Sequence, residues 1–194
     1  KKEAIKTATM QQLLTPKENW KVKRLGDICS RITTGKLDAN AMNINGDYRF
    51  YTCAKNFYYI DNYAFNDEAL LVSGNGANVG YIHYYKGKFN AYQRTYVLIG
   101  FSENIQFIKL FMEINLAKRI RAEVNSGNTP YITMDTLTDM IVMLPRTKDE
   151  QITTATILLD MSDEIQALNA KLSKTKAIKD GIMQELLTGK TRLI

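Results

Sequence analysis

Histidine occurs once in the 194 residues, at position 83, and cysteine twice, at 29 and 53. So small a supply of imidazole and thiolate argues against the usual zinc sites and against a Cys–His nucleophilic pair. Two distant cysteines make no disulfide framework; reduced, buried thiols in a cytoplasmic protein are the expectation. His83 stands among Tyr81, Tyr84 and Tyr85 and reads as a structural residue rather than a base. No apolar run approaches the ~20 residues that cross a bilayer, and no signal peptide opens the chain. The first residue is Lys, so a piece of a longer polypeptide is expected.

Phosphate loops are missing as well. Gly74, Gly76 and Gly80 in VSGNGANVGY give GxGxxxG instead of GxGxxG, and no Gly-Lys-Ser/Thr follows. The residues beyond read as strand, whereas such loops bind phosphate at a helix N-terminus. A tight turn between strands, bearing exposed polar groups, is expected instead. No Glu-x-Lys follows an acidic residue as a metal-dependent nuclease would need, and there is no Asn/Asp-Pro-Pro-aromatic motif of an amino-methyltransferase. No catalytic residue, metal ligand or cofactor is assigned; a non-catalytic protein is expected.

What is present begins with a repeat. MQQLLTPK at Met10–Lys17 returns as MQELLTGK at Met183–Lys190 with two changes. The same alignment sets Ala4-Ile5-Lys6 on Ala177-Ile178-Lys179, so the identities recur at helical spacing. Glu3 to Leu14 reads as a short helix stopped at Thr15-Pro16. From Glu150 to Lys190 there is no Pro and one interior Gly, which predicts a helix of roughly 60 Å at 1.5 Å per residue. Its apolar residues step by threes and fours through Leu158, Met161, Ile165, Leu168 and Leu172. After polar breaks at Thr175 and Lys179 they resume at Ile182 and Leu186. A stripe that narrow faces one partner helix. The breaks are expected to leave room for the N-terminal helix or to fix register.

Trp20 to Leu144 reads as mixed α and β. WKVKRLGDICSRIT suggests a strand running into a helical turn. YRFYTCAKNFYYI, EALLVSG, GYIHYY and AYQRTYVLI have strand composition. An amphipathic helix is expected from an N-cap at Asn104 to Val124, burying Phe107, Leu110, Phe111, Ile114, Ala117 and Ile120. NSGNTPY reads as a loop, and MDTLTDMIVMLP as a short helix and a last strand. The fold class is therefore α+β, with a long coiled-coil-forming helix behind a mixed domain.

The charge of +6 and 11 tyrosines suit a polyanion-binding surface. Asn75, Asn78, Gln93, Arg94, Asn128 and Tyr131 are loop residues of the types that reach base edges. Lys36, Lys55, Lys86, Lys88, Arg119 and Arg121 are placed to meet phosphates.

The chain resembles half of the specificity subunit of a type I restriction-modification enzyme. WKVKRLGDI is similar to that family's entry into a target recognition domain, and RITTGK to its short Thr-Gly segment. ALLVSGNGANVGY resembles its strand and glycine turn. IVMLPRTKDEQITTATILLDMSDEI resembles its Leu-Pro, Glu-Gln passage into a conserved helix ending in MQELLTGK. A departure falls at Arg146-Thr147, where the family commonly has a second Pro and an apolar residue; only the local turn should differ.

The resemblance implies that residues 1–16 are the tail of a first conserved spacer helix. Residues 17–148 would be a DNA-binding target recognition domain. Residues 149–194 would be the second conserved helix, for antiparallel pairing and methyltransferase docking. It implies recognition of one half of a bipartite double-stranded DNA site, without catalysis. Methyltransferase subunits would supply S-adenosylmethionine and adenine methylation, and a motor subunit ATP and cleavage. A half-subunit lacks its partner helix, so an antiparallel homodimer is expected. The competing expectation is a coiled-coil interaction module with no DNA role.

Overall fold

A computed structural model describes residues 1–123 and 131–188. Their backbone divides into two compact units: residues 16–152, and residues 1–15 together with 153–188. No described helix is long and apolar enough to cross a membrane.

In the 1–15/153–188 unit, α1 (Lys2–Leu14) ends at Thr15, whose extended backbone leads into Pro16. The other helix is α5 (Lys148–Leu187), of 40 residues, whose residues 148–152 belong to the 16–152 unit. It starts two residues before the expected Glu150 because Thr147 caps it, its Oγ1 accepting the Glu150 N–H at 3.2 Å. The final Gly189-Lys190 of the repeat lies outside the described residues.

Leu158 is buried and Met161, Ile165 and Leu186 are half-buried, whereas Leu168, Leu172 and Ile182 are 43–52% exposed. Lys2 forms an ion pair with Glu164, and Ile5 lies with Met161 and Ile165 around a shallow cavity of about 110 Å³. The N-terminal helix thus meets α5 beside 161–165. That corrects the expectation that it fills the polar breaks: Thr175 and Lys179 are exposed, and Thr175 bonds its own helix at Lys171 O, 2.9 Å.

The 16–152 unit is α+β. β1 (Lys21–Arg24) pairs antiparallel with β8 (Ile141–Leu144), Lys21 opposite Leu144. Between them in sequence, α2 (Leu25–Ile28) buries Leu25 and Ile28, then β2 (Cys29–Thr34) begins a six-stranded sheet. Its other strands are β3 (Tyr48–Tyr51), β4 (Tyr58–Ile60), β5 (Phe65–Ser73), β6 (Ile82–Ala91) and β7 (Thr95–Phe101). The order is β2-β7-β5-β6-β3-β4, antiparallel except where β3 runs parallel to β6. AYQRTYVLI is therefore not one strand: Tyr92-Gln93-Arg94 is the turn from β6 to β7, closed by Thr95 N–H to Tyr92 O at 2.8 Å.

Alternation divides the sheet's side chains between two faces. One carries Tyr51, Phe65, Ala69, Leu71, Phe89 and Val97, a cluster each of whose fully buried large side chains contributes about 1.5–3 kcal/mol. At its margin the Arg49 guanidinium lies between the Phe57 and Tyr85 rings, 4.2 and 4.5 Å from their centroids. On the other side lies α3 (Ile105–Glu123), its Ile120 against Gly80. Asn104 caps α3 through Oδ1, which accepts the Phe107 N–H at 2.9 Å. The expected burial stripe needs correction. Ile108, Met112 and Leu116 are buried, Ile114 is half-buried and Ala117 is exposed. A helix covered on a broad arc buries more than one amphipathic seam. Val124 lies outside the described residues.

α4 (Met134–Thr138) starts with a reciprocal cap between Thr133 and Thr136. Trp20, heading the domain, meets Phe107 edge-on at 5.8 Å. Arg146 donates from Nε to Asn19 O at 3.0 Å, so the Arg146-Thr147 pair tethers one turn and caps the next.

Candidate nucleic-acid interface

Several loops converge at one end of the six-stranded sheet, and each is shaped by a local demand. After β5 the chain must pass against the Arg94 carbonyl. A Cβ on Gly74 would lie 2.3 Å from that oxygen, so only glycine fits. The Gly74 N–H donates to Arg94 O at 2.8 Å, joining this turn to the β6–β7 turn. Gly76 and Gly80 have φ of 77° and 79°, a left-handed backbone that glycine adopts without strain. The glycine segment is thus a strand-to-strand turn.

Backbone groups hold the neighbouring loops. Tyr92 N–H donates to Tyr51 O and Gln93 N–H to Leu37 O, both at 2.9 Å. Ile132 N–H donates to Gly74 O at 2.9 Å, Asn75 forms a bridge with Tyr131, and the Tyr96 hydroxyl donates to Ile132 O at 2.9 Å. With the main chain so engaged, the Gln93, Arg94 and Tyr131 side chains remain exposed, Tyr131 by 62%.

Asn75, Gln93, Arg94 and Tyr131, four residues anticipated from sequence, line one cleft of about 440 Å³ with Thr34 and Tyr96. Its polar set combines an amide pair, a guanidinium, a hydroxyl and an aromatic face, the groups that hydrogen-bond and stack on bases. Lys36 is exposed one residue before Leu37, on the loop that holds Gln93.

The other anticipated residues fall elsewhere. Asn78 is half-buried and donates from Nδ2 to Cys53 O at 3.0 Å, an internal role. Arg119 pairs with Glu123 at 2.8 Å and donates to Asp139 O at 3.1 Å. Arg121 is exposed in the last turn of α3, where a cation complements the helix carbonyls. Asn128 lies outside the described residues.

Sequence reasoning passed over the Thr52–Asn56 loop as a structural element, because its composition reads as strand. Its Cys53 Sγ donates to Arg94 O at 3.3 Å, beside the cleft. His83 lies in an aromatic cage, with its ring centroid 5.0 Å from Tyr51 and 4.8 Å from Tyr81, and bonds Ala54 O through Nε2 at 2.9 Å. Burial holds its pKa below the usual value, so the neutral ring donates that bond. Cys29 is buried, whereas Cys53 is only half-buried, which corrects the expectation of two buried thiols. Among the described residues no three of His, Cys, Asp or Glu converge as a metal site would require.

Comparison with known proteins identifies the family. The type I restriction modification DNA specificity domain matches residues 17–176. The type I restriction enzyme EcoDI specificity subunit of Escherichia coli is 36% identical over 170 residues, covering 88% of this chain. The chain spans 37% of that relative's length. The type I restriction-modification S subunit from M. genitalium superposes with a TM-score of 0.73 at 15% identity, covering 95% of this chain and 54% of that one. The HsdS subunit from Thermoanaerobacter tengcongensis gives 0.65 at 14% identity, with 95% and 50% covered. These two share the α+β fold with its long helix. The chain belongs to the type I restriction modification DNA specificity domain family.

Proposed function

We propose that this chain is the sequence-reading half of a type I specificity subunit. Residues 17–148 recognise one half of a bipartite duplex site and catalyse nothing themselves. The observation that carries this reading is the convergence of Asn75, Gln93, Arg94 and Tyr131 in one cleft, the last three with exposed side chains. Gln93 and Asn75 suit adenine, Arg94 suits guanine, and Tyr131 offers an apolar ring. Lys36 and Arg121 meet phosphates, which position the domain without carrying sequence information.

The long helix is the spacer. Residues 1–16 form the end of one copy and 149–194 the other, and the pair sets the distance between half-sites. Methyltransferase subunits dock on it and supply S-adenosylmethionine for adenine methylation; a motor subunit completes the assembly. In the 194-residue chain by itself, the exposed Leu168, Leu172 and Ile182 pair with the same residues of a second copy.

A salt series on random duplex DNA tests the reading. Each phosphate contact lowers the slope of log affinity against log salt by about 0.9. A steep fall, made shallower by Lys36→Ala, is expected. Weak binding that is flat across the series would instead fit an interaction module on a coiled coil.

A further inference from the structure

Thr52–Asn56, between β3 and β4, is held at three points by three different stretches of chain. Asn78 in the β5–β6 turn donates to Cys53 O, and His83 in β6 donates to Ala54 O. Cys53 Sγ reaches the Arg94 carbonyl in the β6–β7 turn. Within the loop, Ala54 N–H bonds Thr52 Oγ1 at 3.2 Å, and just before it Tyr51 O accepts the Tyr92 N–H. One of these tethers, His83, is itself fixed between two rings, the buried Tyr51 and the exposed Tyr81. The side chains it leaves outward are Lys55 and Asn56, both exposed.

We infer that Asn78 and His83 are positioning residues that fix Cys53–Asn56 beside Arg94, so that Lys55 meets a phosphate and Asn56 a base edge on the same duplex. This rests on the DNA-recognition reading above. It reassigns Asn78: its amide acts through Cys53 and touches no base. Lys55 and Asn56 extend the recognition surface from the cleft across the end of β3. Preorganisation by hydrogen bonds from neighbouring strands is what a reading loop requires, since a loop ordered only on binding costs affinity.

The test uses the 194-residue chain and the duplex it enriches from a random pool. Lys55→Ala should weaken binding to target and random duplex alike and reduce the salt slope by about one contact's worth, ~0.9. Asn56→Ala should weaken the target only. Asn78→Ala and His83→Leu should each lower target affinity about tenfold, the scale of one lost hydrogen bond. His83→Gln, which keeps a donor at the Nε2 position, should restore it. In a chain already carrying Lys55→Ala and Asn56→Ala, Asn78→Ala should cost little more, because its effect passes through that loop. A purely structural Asn78 would instead lower the thermal midpoint and add its full loss to the double variant. Should Asn78→Ala fail to fold, Lys55→Ala and Asn56→Ala still decide. If both bind as the parent chain does while Arg94→Ala loses the target, the inference falls and the recognition reading stands. If the parent enriches no duplex, both fall.

Discussion

The Gln151 amide is divided between two residues at the head of α3: its Nε2 donates to Glu103 Oε2 and its Oε1 accepts the Asn104 N–H, each at 2.9 Å. Gln151 is 1% exposed, and Glu103 takes a second donor, Lys23 Nζ, at 2.6 Å. Gln151, in the Glu-Gln passage that carries the resemblance, is therefore a packing residue. It joins the first turn of α5 to the N-terminus of α3 inside the 16–152 unit.

Replacing Gln151 by Leu strands a carboxylate oxygen and a backbone N–H, and a buried polar group left without a partner costs about 1–3 kcal/mol. Urea denaturation of Gln151→Leu should show a midpoint lowered accordingly with the slope unchanged. Gln151→Glu should be worse at neutral pH, where a second carboxylate faces Glu103, and should partly recover on acidification. Equal stability of all three proteins would remove Gln151 from the core.

The two thiols should react at very different rates. Burial pushes Cys29 up to about 12, which leaves almost no thiolate at neutral pH. Cys53 is half-buried. An Ellman titration of the folded chain should give one fast equivalent and a second only on unfolding, with Cys53→Ser abolishing the fast one. Two fast equivalents would contradict the packing around Cys29.

Acid should destabilise the fold in two steps. Burial, aided by the Lys109 charge and partly opposed by the Ala54 hydrogen bond, holds His83 below its ordinary 6.5. The unfolded chain then takes up the proton more readily. His83's contribution is whole above pH 6.5 and declines as pH falls towards its folded value. For Glu103, burial alone would raise the carboxyl, but the hydrogen bonds from Lys23 and Gln151 and the Lys23 and Lys21 charges outweigh it and keep it below 4.5. That contribution is present above pH 4.5 and lost as pH falls through the lower folded value. Chemical denaturation from pH 8 to 3 should show both declines, and His83→Gln should erase the upper one only.

The exposed half of α5 should govern association. Leu168→Asp with Leu172→Asp places charges on the stripe that a second copy would cover. Sedimentation at tens of micromolar should show a dimer for the parent chain and a monomer for this variant, with no loss of the sheet domain's cooperative unfolding. A parent chain that sediments as a monomer would sink the half-subunit dimer.

Elements with a strong local signal were legible in the sequence. The long helix had its heptad steps, the α3 cap had Asn104, and the β5–β6 turn had its glycines. The parallel pairing of β3 with β6 was not legible, because nothing local encodes which strand β3 joins. Likewise Tyr92-Gln93-Arg94 has strand composition yet turns, its backbone being held by Tyr51 and Leu37 from far along the chain. In the candidate site, residue type identified Gln93 and Arg94 correctly as exposed loop groups. It misjudged Asn78 and Arg119, whose chemistry suits DNA but whose partners are internal. Residue type gives capacity, and only tertiary contacts show whether that capacity is already occupied.

Enrichment of bound sequences from a random duplex pool, with the parent chain and with Arg94→Ala, tests the central claim most directly. DNA recognition through the cleft predicts a short enriched half-site containing at least one guanine. Discrimination at that position should relax by ~1–3 kcal/mol in Arg94→Ala, while the other positions persist. A pool that shows no enrichment, or an enriched motif that Arg94→Ala and Gln93→Ala leave untouched, would contradict it.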